Sequence, residues 1–275
     1  MRIRLLALDI DGTLLDSHGQ IPDDNRRAIG AALDRGIEVA LVTGRAFHFA
    51  RPIGERLGLP VVFVSSNGAV VKQADGTSLL RRLLPAATAR DVLAATADHR
   101  GDAAVIFDRV DDRQVVAGGM DWQHPSRVGY WTRNTAIIAE VHPLEDCLDQ
   151  DPIQVMFNGP VARMRPLAGR LRAESRGRYH VTMTEYEARD FALVDVLAAG
   201  VSKGTTLAHW CTVRGYTAAE VFAAGDNYND REMLEFAGVP VVMGNAVPEL
   251  LAAGFHVTAT HDEAGLARAI ERFAL

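Results

Sequence analysis

The sequence predicts a protein of the α/β class, in which a doubly wound parallel sheet forms a core domain and an inserted α+β unit forms a second domain. Apolar runs alternate with helix-type periodicity near both ends of the chain, which is typical of such a sheet. Several of these runs end in glycine or polar residues, as expected where parallel strands end beside a site. We assign residues 1–84 and 188–275 to the core domain and residues 85–187 to the insert.

The first core segment opens with the apolar run Leu5–Leu8, which predicts a strand buried on both faces. Pro22 and the two aspartates after it begin a helix, which Gly36 ends. The remaining elements are expected in this order: a strand at Ile37–Val42, a helix ending near Gly58 that Pro52 kinks or delays, a strand at Val61–Val64, and a polar hairpin at Ala69–Leu84 around Asp75-Gly76.

The insert is predicted to contain helices and strands in a mixed order. Helices are expected from Thr88 to about Asp98 and from Pro160-Val161 onward, and strands at Ala103–Phe107, Arg113–Val116, Ile153–Phe157 and, as the last of the insert, Tyr179–Thr184.

Three groups of side chains in the insert have structural interpretations. Trp122, Tyr130 and Trp131 are expected in the core of this unit, with the alternative that one of them lines the substrate cleft. The six arginines between Arg163 and Arg178 predict a solvated helix face and the loop after it. A hairpin turn is expected at Asp108, Asp111 and Asp112.

The second core segment resumes near Phe191 with further parallel-sheet patterns. Ser202 is a good N-cap for a helix that begins at Lys203-Gly204. A strand at Val221–Ala224, a helix to about Phe236, a strand at Val239–Met243, an edge strand at Phe255–Val257 and a closing helix at Glu263–Phe273 follow.

The composition excludes several classes of function. A net charge of −6 argues against a general nucleic-acid or acidic-membrane binder. Cys147 and Cys211 are too few for a disulfide scaffold, and the chain begins with a strand pattern instead of a signal peptide. No apolar run approaches the length of a membrane helix. We therefore expect a cytoplasmic monomer or small homo-oligomer that binds neither nucleic acid nor membrane.

Polar groups follow five of the expected strands. They are Asp9/Asp11, Thr43-Gly44, Ser66-Asn67-Gly68, Asp226/Asn229/Asp230 and Gly244-Asn245. Parallel strands bring such ends to one edge of a sheet, so we expect one site there. Asp9 and Asp11 can face one spot, where Asp226 could complete a three-oxygen set for Mg²⁺. The sequence thus predicts a carboxylate–metal–phosphate site in which one carboxylate can act as a nucleophile.

These motifs resemble the four motifs of the haloacid dehalogenase superfamily in order and spacing. They are Asp9-x-Asp11-Gly-Thr, Thr43-Gly-Arg, Lys203 and Gly225-Asp226-x-x-Asn229-Asp230. The insert resembles a type C2 cap on a Rossmann-like core. Asn67-Gly68-Ala69 and Met243-Gly244-Asn245-Ala246 are similar to the corresponding segments of Cof-type, subclass IIB sugar-phosphate phosphatases.

The resemblance implies a role for each matching residue. Asp9 would attack phosphorus and become an aspartyl phosphate, and Asp11 would protonate the leaving oxygen and then activate water. Asp230 resembles the carboxylate that orients Lys203 or the metal waters. Mg²⁺ would be held by Asp9, the Asp11 backbone carbonyl and Asp226, and the phosphate by the Ile10 N–H, Thr43, Gly44, Lys203 and Asn229.

We therefore predict a Mg²⁺-dependent phosphatase that hydrolyses a small phosphorylated metabolite, such as a sugar phosphate, a nucleotide or a vitamin phosphate, under a mobile cap. One alternative is a phosphotransferase or phosphomutase that passes the phosphoryl group to a sugar. Two others are a phospho-accepting signalling domain, which the large insert disfavours, and a protein that retains the site without catalysis. Arg45 is expected to form a structural salt bridge.

Overall fold

The computed structural model describes residues 2–109 and 113–275. The chain divides into two compact units, one made of the residues up to Arg81 together with Ser202–Leu275 and the other of Arg82–Val201. Asp111 and Asp112, expected in a hairpin turn, lie outside the described residues. No helix in the described part of the chain is long and apolar enough to cross a membrane.

The strands and helices have the following bounds. The strands are β1 (Leu5–Leu8), β2 (Glu38–Val42), β3 (Val62–Ser65), β4 (Val70–Lys72), β5 (Ser78–Arg81), β6 (Ala103–Ile106), β7 (Val115–Ala117), β8 (Ile138–Glu140), β9 (Gln154–Gly159), β10 (Tyr179–Tyr186), β11 (Phe191–Ala198), β12 (Val221–Gly225), β13 (Val239–Val242) and β14 (His256–Val257). The helices are α1 (Asp23–Asp34), α2 (Phe47–Leu57), α3 (Ala86–Ala95), α4 (Pro125–Asn134), α5 (Val161–Ser175), α6 (Lys203–Arg214), α7 (Arg231–Phe236), α8 (Pro248–Leu251) and α9 (Gly265–Phe273).

The first unit contains one sheet in the order β14-β13-β12-β1-β2-β3-β4-β5. The strands from β14 to β3 are parallel, and the β4–β5 hairpin adds two antiparallel strands at one edge. Strand β1 is central, and its four residues are completely buried because both faces are covered. Leu6 and Leu8 pack with α1, α2 and α9, whereas Leu5 and Ala7 pack with α6 and α7. This is the predicted doubly wound arrangement.

The second unit contains a sheet in the order β10-β11-β9-β6-β7-β8, antiparallel except for the β7–β8 pair. Its apolar core packs one face of this sheet against α3 and α5. The prediction that core-sheet patterns resume near Phe191 is wrong, because β11 pairs antiparallel with both β9 and β10. The boundary between the units therefore lies after Val201 and not at residue 187. The apolar run of β11 is typical of a buried strand, but periodicity alone cannot show which sheet such a strand joins.

One interpretation of side chains in the insert needs correction. Trp122, Tyr130 and Trp131 lie outside the apolar core and form a half-buried stack, with ring centroids 5.1 and 6.5 Å apart. The predicted solvated arginine face is present on α5 and after it, and two of its exposed members also form ion pairs, Arg163 with Asp102 and Arg165 with Glu185. Helix α4 and strand β8 were not predicted, since short segments carry little periodic signal.

Candidate active site

The polar strand ends of the first unit lie at one edge of its sheet, as predicted. Strand β1 pairs with β2 on one side and β12 on the other, with Leu8 opposite Leu41 and Ala224. The N–H of Asp9 donates to the carbonyl of Ala224, at 3.0 Å. Asp9 and Asp226 therefore follow neighbouring parallel strands at nearly the same level, and the Thr43 loop follows β2 beside them.

Lys203 is brought to this edge by the first turn of α6. The Ser202 side chain caps the helix by accepting from the Thr205 N–H, as its sequence predicts. Gly204 is required at the next position, because a Cβ there would lie 2.5 Å from backbone atoms of Glu232. Lys203 is almost completely buried, and its Nζ donates to Asp9 Oδ1 and Asp230 Oδ1, both at 2.6 Å. One ammonium thus joins two carboxylates from distant parts of the chain.

Asp230 organises the loop after β12. Its Oδ2 accepts from the backbone N–H groups of Asp226 and Asn227, both at 3.0 Å, while its Oδ1 accepts from Lys203. Gly225 leaves the room this carboxylate needs, because a Cβ there would lie 2.5 Å from the Asp230 Cγ. Both oxygens of Asp230 are therefore engaged, one by Lys203 and the other by the backbone of this loop.

The site contains more negatively charged groups than positively charged ones. Burial raises the pKa of Asp9 to about 7, a rise that Lys203 opposes and the charges of Asp230 and Asp11 reinforce. Burial and the charge of Asp9 raise the pKa of Asp226 well above its ordinary range. Burial disfavours the Lys203 ammonium, but Asp230 and Asp9 raise the pKa of that group above its ordinary value. A further cation would relieve the remaining repulsion between the carboxylates.

The residues present suit a divalent cation bound by oxygen. Carboxylate oxygens of Asp9, Asp226 and Asp230 lie within 4.8 Å of one another, the one such cluster of His, Cys, Asp or Glu found in residues 2–109 and 113–275. Asp226 Oδ1 is buried and has no hydrogen-bond partner among those residues. The Gly12 backbone lies in close contact with the Asp226 carboxylate, since a Cβ on Gly12 would lie 2.2 Å from Asp226 Oδ2. Magnesium prefers such hard oxygen donors.

Asp11 differs from the expectation that its carboxylate shares one spot with Asp9. Its Oδ2 accepts from Arg45 Nε at 2.7 Å and its Oδ1 from Arg45 Nη2 at 2.6 Å. The close carboxylate cluster therefore contains Asp230 in place of Asp11. The expected Arg45 salt bridge is present, and its partner is the residue that the motif proposes as acid and base. A planar guanidinium held by two parallel bonds fixes the orientation of that carboxylate.

The residues expected to bind phosphate lie in the same unit. Thr43 is buried, its N–H donates to the Val64 carbonyl, and its hydroxyl accepts from the Arg45 N–H at 3.1 Å. Ile10 is also buried, in the turn after β1. Gly44 and Asn229 approach each other, since a Cβ on Gly44 would lie 3.4 Å from Asn229 Nδ2.

Two residues at polar strand ends make contacts that the sequence interpretation left without a role. Asn67 accepts a hydrogen bond from Asn229 Nδ2 at 2.9 Å. Asn245 Nδ2 donates to the Gly12 carbonyl and its Oδ1 accepts from the His261 N–H, each at 2.9 Å. The signals in the sequence were their place after a predicted strand and the similarity of both segments to those of Cof-type phosphatases, but nothing local shows which loop an amide will meet.

Comparison with protein families gives a match between residues 6–270 and the haloacid dehalogenase-like hydrolases. The chain belongs to this family. The predicted superfamily and its Cof-type group are confirmed by this match.

Relatives of this haloacid dehalogenase-like hydrolase are similar along nearly their whole length. A 5-amino-6-(5-phospho-D-ribitylamino)uracil phosphatase of Bacillus subtilis is 26% identical over 273 residues, which cover 99% of this chain and 96% of the relative. The HMP-PP phosphatase of Serratia proteamaculans is 30% identical over 249 residues, which cover 90% and 86%. A solved haloacid dehalogenase-like hydrolase from Bacteroides thetaiotaomicron is 26% identical, with a TM-score of 0.78 and coverage of 98% and 99%.

These matches confirm the fold class and the enzyme class. The core sheet with its second, mixed α/β unit is the architecture of this family. The predicted class of enzyme, a hydrolase of the haloacid dehalogenase phosphatase type, agrees with the relatives, which are named phosphatases.

Proposed function

We propose that this hydrolase removes phosphate from a small phosphorylated metabolite, that it depends on Mg²⁺, and that the reaction proceeds through an aspartyl phosphate on Asp9. The observation that carries the proposal is the buried ammonium of Lys203, held at 2.6 Å from Asp9, together with the buried Asp226 Oδ1, which has no hydrogen-bond partner in the described part of the chain. A carboxylate set between a lysine and a cation site can approach an anionic phosphate that it would otherwise repel. The names of the phosphatase relatives support the substrate class.

Each residue of the site has a part in this reaction. Asp9 attacks phosphorus while Asp11 gives a proton to the departing oxygen, so that a P–O bond to Asp9 forms as the P–O bond to the leaving group breaks. Asp11 then takes a proton from the water that attacks the aspartyl phosphate, which releases inorganic phosphate and restores Asp9. Lys203 offsets charge on Asp9 and on the incoming phosphoryl group.

Asp9 and Asp226 would hold the magnesium, together with the Asp11 backbone carbonyl that the family resemblance implies. When bound, the cation supplies Lewis-acid polarisation of the phosphoryl oxygens. Asp230 keeps Lys203 in position and fixes the Asp226 loop through two backbone N–H groups. Thr43, Gly44, Asn229 and the Ile10 N–H would bind the phosphate oxygens. The inserted unit is proposed as the cap, by its resemblance to type C2 caps.

The direct test is phosphate release from a panel of phosphorylated metabolites with and without Mg²⁺. The panel should contain sugar phosphates, nucleotides, 5-amino-6-(5-phospho-D-ribitylamino)uracil and HMP-PP, with a second sugar added to detect phosphoryl transfer. We expect Mg²⁺-stimulated release of inorganic phosphate from at least one compound. Transfer to the added sugar without phosphate release would instead identify a phosphotransferase.

Asp9→Asn tests the nucleophile. The substitution keeps the shape of the side chain, and the amide oxygen of the new side chain can still accept a hydrogen bond from Lys203, so we expect an intact fold and no measurable turnover. Circular dichroism and thermal unfolding check the fold, and phosphate release checks the activity. Turnover close to that of the wild type would refute the covalent mechanism.

A further inference from the structure

The turn after β3 has an unusual backbone. Ser66, Asn67 and Gly68 have φ values of 50°, 52° and 98°, so three successive residues lie on the positive side. Glycine accepts this conformation readily, but side chains with a Cβ do so at a penalty, which is smallest for asparagine and aspartate. Residues held in such conformations concentrate at functional sites. We therefore expect this strained turn to have a function besides connecting two strands.

Surrounding loops hold this turn on two sides. The N–H groups of Ser66 and Asn67 donate to the carbonyls of Arg45 and Thr43, at 2.8 and 3.0 Å. On the other side the hydroxyl of Thr206 in α6 donates to the Gly68 carbonyl at 2.9 Å. The turn is thus fixed between the loop after β2 and the helix that begins at Lys203.

The result of this conformation is the placement of one carboxamide. Asn67 is almost completely buried, and its Oδ1 accepts from Asn229 Nδ2 at 2.9 Å. A Cβ on Gly44 would lie 3.1 Å from the same Asn67 oxygen. The Asn67 amide therefore packs against two of the residues proposed to bind phosphate.

We propose that Asn67 is a positioning residue of the phosphate site, and that the left-handed turn serves to deliver its carboxamide there. Asn229 has two Nδ2 protons, and fixing one of them on Asn67 Oδ1 also fixes the direction of the other. The second proton can then be aimed at a phosphoryl oxygen, with no rotation of the amide when the anion arrives. Preorganised donors of this kind stabilise charge in the transition state. The inference rests on the proposed function, which it extends by one residue.

The variant Asn67→Gly removes the carboxamide and allows the backbone to keep its conformation. Glycine adopts a φ of 52° without strain, which offsets part of the stability lost with the buried carboxamide and its hydrogen bond, so we expect a folded protein of somewhat lower thermal stability. We expect kcat/KM for p-nitrophenyl phosphate to fall about 10- to 100-fold, and the inhibition constant of inorganic phosphate to rise. The Mg²⁺ concentration for half-maximal activity should stay unchanged, because the Asn67 carboxamide accepts from Asn229, which is not a proposed metal ligand.

Arg176→Gly is the matched control. It relieves a left-handed backbone with a φ of 45° at the exposed C-cap of α5, in the second unit, so we expect wild-type kinetics and equal or higher stability. Asn67→Asp is the second variant, since aspartate also tolerates the left-handed region and can accept from Asn229. Its negative charge should weaken inhibition by inorganic phosphate further than Asn67→Gly does.

Wild-type kinetics and phosphate inhibition in Asn67→Gly, or in Asn67→Asp if the glycine variant does not fold, would overturn the inference and leave the proposed function standing. If the wild type hydrolyses no phosphomonoester, the proposed function fails separately. Calorimetric binding of inorganic phosphate then tests the site alone: binding by the wild type that is weakened in Asn67→Gly supports the inference, and equal or absent binding in both overturns it.

Discussion

Lys203 illustrates how one residue is selected by its surroundings. The chain contains many arginines and, besides Lys203, a single lysine at position 72. At position 203 the cation lies in a fully buried space with two carboxylate oxygens at 2.6 Å. A compact ammonium can donate to both, whereas the larger planar guanidinium of arginine would need a different geometry. The choice of lysine here follows from the size and direction of its donors.

We expect Lys203→Ala to lower kcat by about 10²–10³-fold, because the site loses a preorganised positive charge next to the nucleophile. The substitution also leaves two buried carboxylates without their cation, which should lower the free energy of unfolding by about 3–5 kcal/mol. Steady-state kinetics and urea unfolding of the same preparation measure both effects. Lys72→Ala serves as the control, with kinetics like the wild type. Unchanged kcat in Lys203→Ala would contradict the proposed role.

Among the elements, the turn after β1 depends on a close approach between backbone and carboxylate. Gly12 has a φ of 81°, and a Cβ on it would lie 2.2 Å from Asp226 Oδ2. Asn245 holds this turn by its bond to the Gly12 carbonyl. A side chain at position 12 must therefore displace the carboxylate that is proposed to bind the metal.

We predict that Gly12→Ala raises the Mg²⁺ concentration needed for half-maximal activity at least tenfold, because Asp226 is pushed from its place. Gly19→Ala is a matched control: Gly19 has a φ of 72°, and a Cβ there would meet nothing within 4 Å. Both variants should lose about 1–2 kcal/mol of stability from the left-handed backbone. A Mg²⁺ titration of activity distinguishes them, and equal Mg²⁺ dependence would argue against Asp226 as a ligand.

In the second unit, buried Asp102 and Arg127 form an ion-pair network with half-exposed Arg163, and this network joins α4, α5 and β9. Asp102 accepts from Arg127 at 3.0 Å and from Arg163 at 2.7 Å, and Arg127 also donates to Asn158. Burial opposes the Asp102 charge, but the bonds from Arg163 and Arg127 keep the pKa of this carboxyl below its ordinary value of 3.8. A carboxyl with a lowered pKa stabilises the folded state above pH 3.8, and this contribution is lost as the pH falls through the lowered pKa.

Asp102→Asn should therefore reduce the free energy of unfolding by about 3 kcal/mol at pH 7, since it leaves buried Arg127 without its counter-charge. The difference from the wild type should begin to shrink below pH 3.8, where Asp102 of the unfolded chain takes up a proton, and should be lost once the pH has fallen through the lowered pKa of folded Asp102. Urea unfolding at pH 7 and pH 3 measures the two differences. Asp98→Asn, which removes an exposed partner of Arg170, should have a much smaller effect at both pH values. A pH-independent difference for Asp102→Asn would show that its charge is not what matters.

At the scale of the whole molecule, the boundary between the two units determines which fragment of the chain contains a complete sheet. Strand β11 lies between β10 and β9 in the sheet of the second unit. A fragment that ends at residue 187 lacks β11, the strand beside which β10 lies at the edge of the sheet in the described residues. The unit bounded by Arg82 and Val201 keeps every strand of the sheet.

We predict that residues 82–201 expressed alone unfold cooperatively with urea, whereas residues 85–187 do not. The longer fragment retains the apolar core of its sheet with α3 and α5, which the loss of β11 would open to water. Circular dichroism and urea titration of the two fragments provide the comparison. Equal cooperativity of both would mean that β11 is dispensable for the unit.

The sequence by itself determined the parallel core, the order of its strands and helices, and the residues at its polar strand ends. These follow from local signals: buried apolar runs such as β1, a capping serine before Lys203, and carboxylates directly after a strand. The family could likewise be recognised, because its motifs are short and contiguous.

Only the tertiary structure decided how these residues are paired. In the folded protein Lys203 lies between Asp9 and Asp230. Asp11 forms an ion pair with Arg45, and Asn67 accepts a hydrogen bond from Asn229. Strand β11 joins the second sheet. Such pairings join positions far apart in the chain and depend on side-chain direction, burial and available space, which no local pattern of residues encodes.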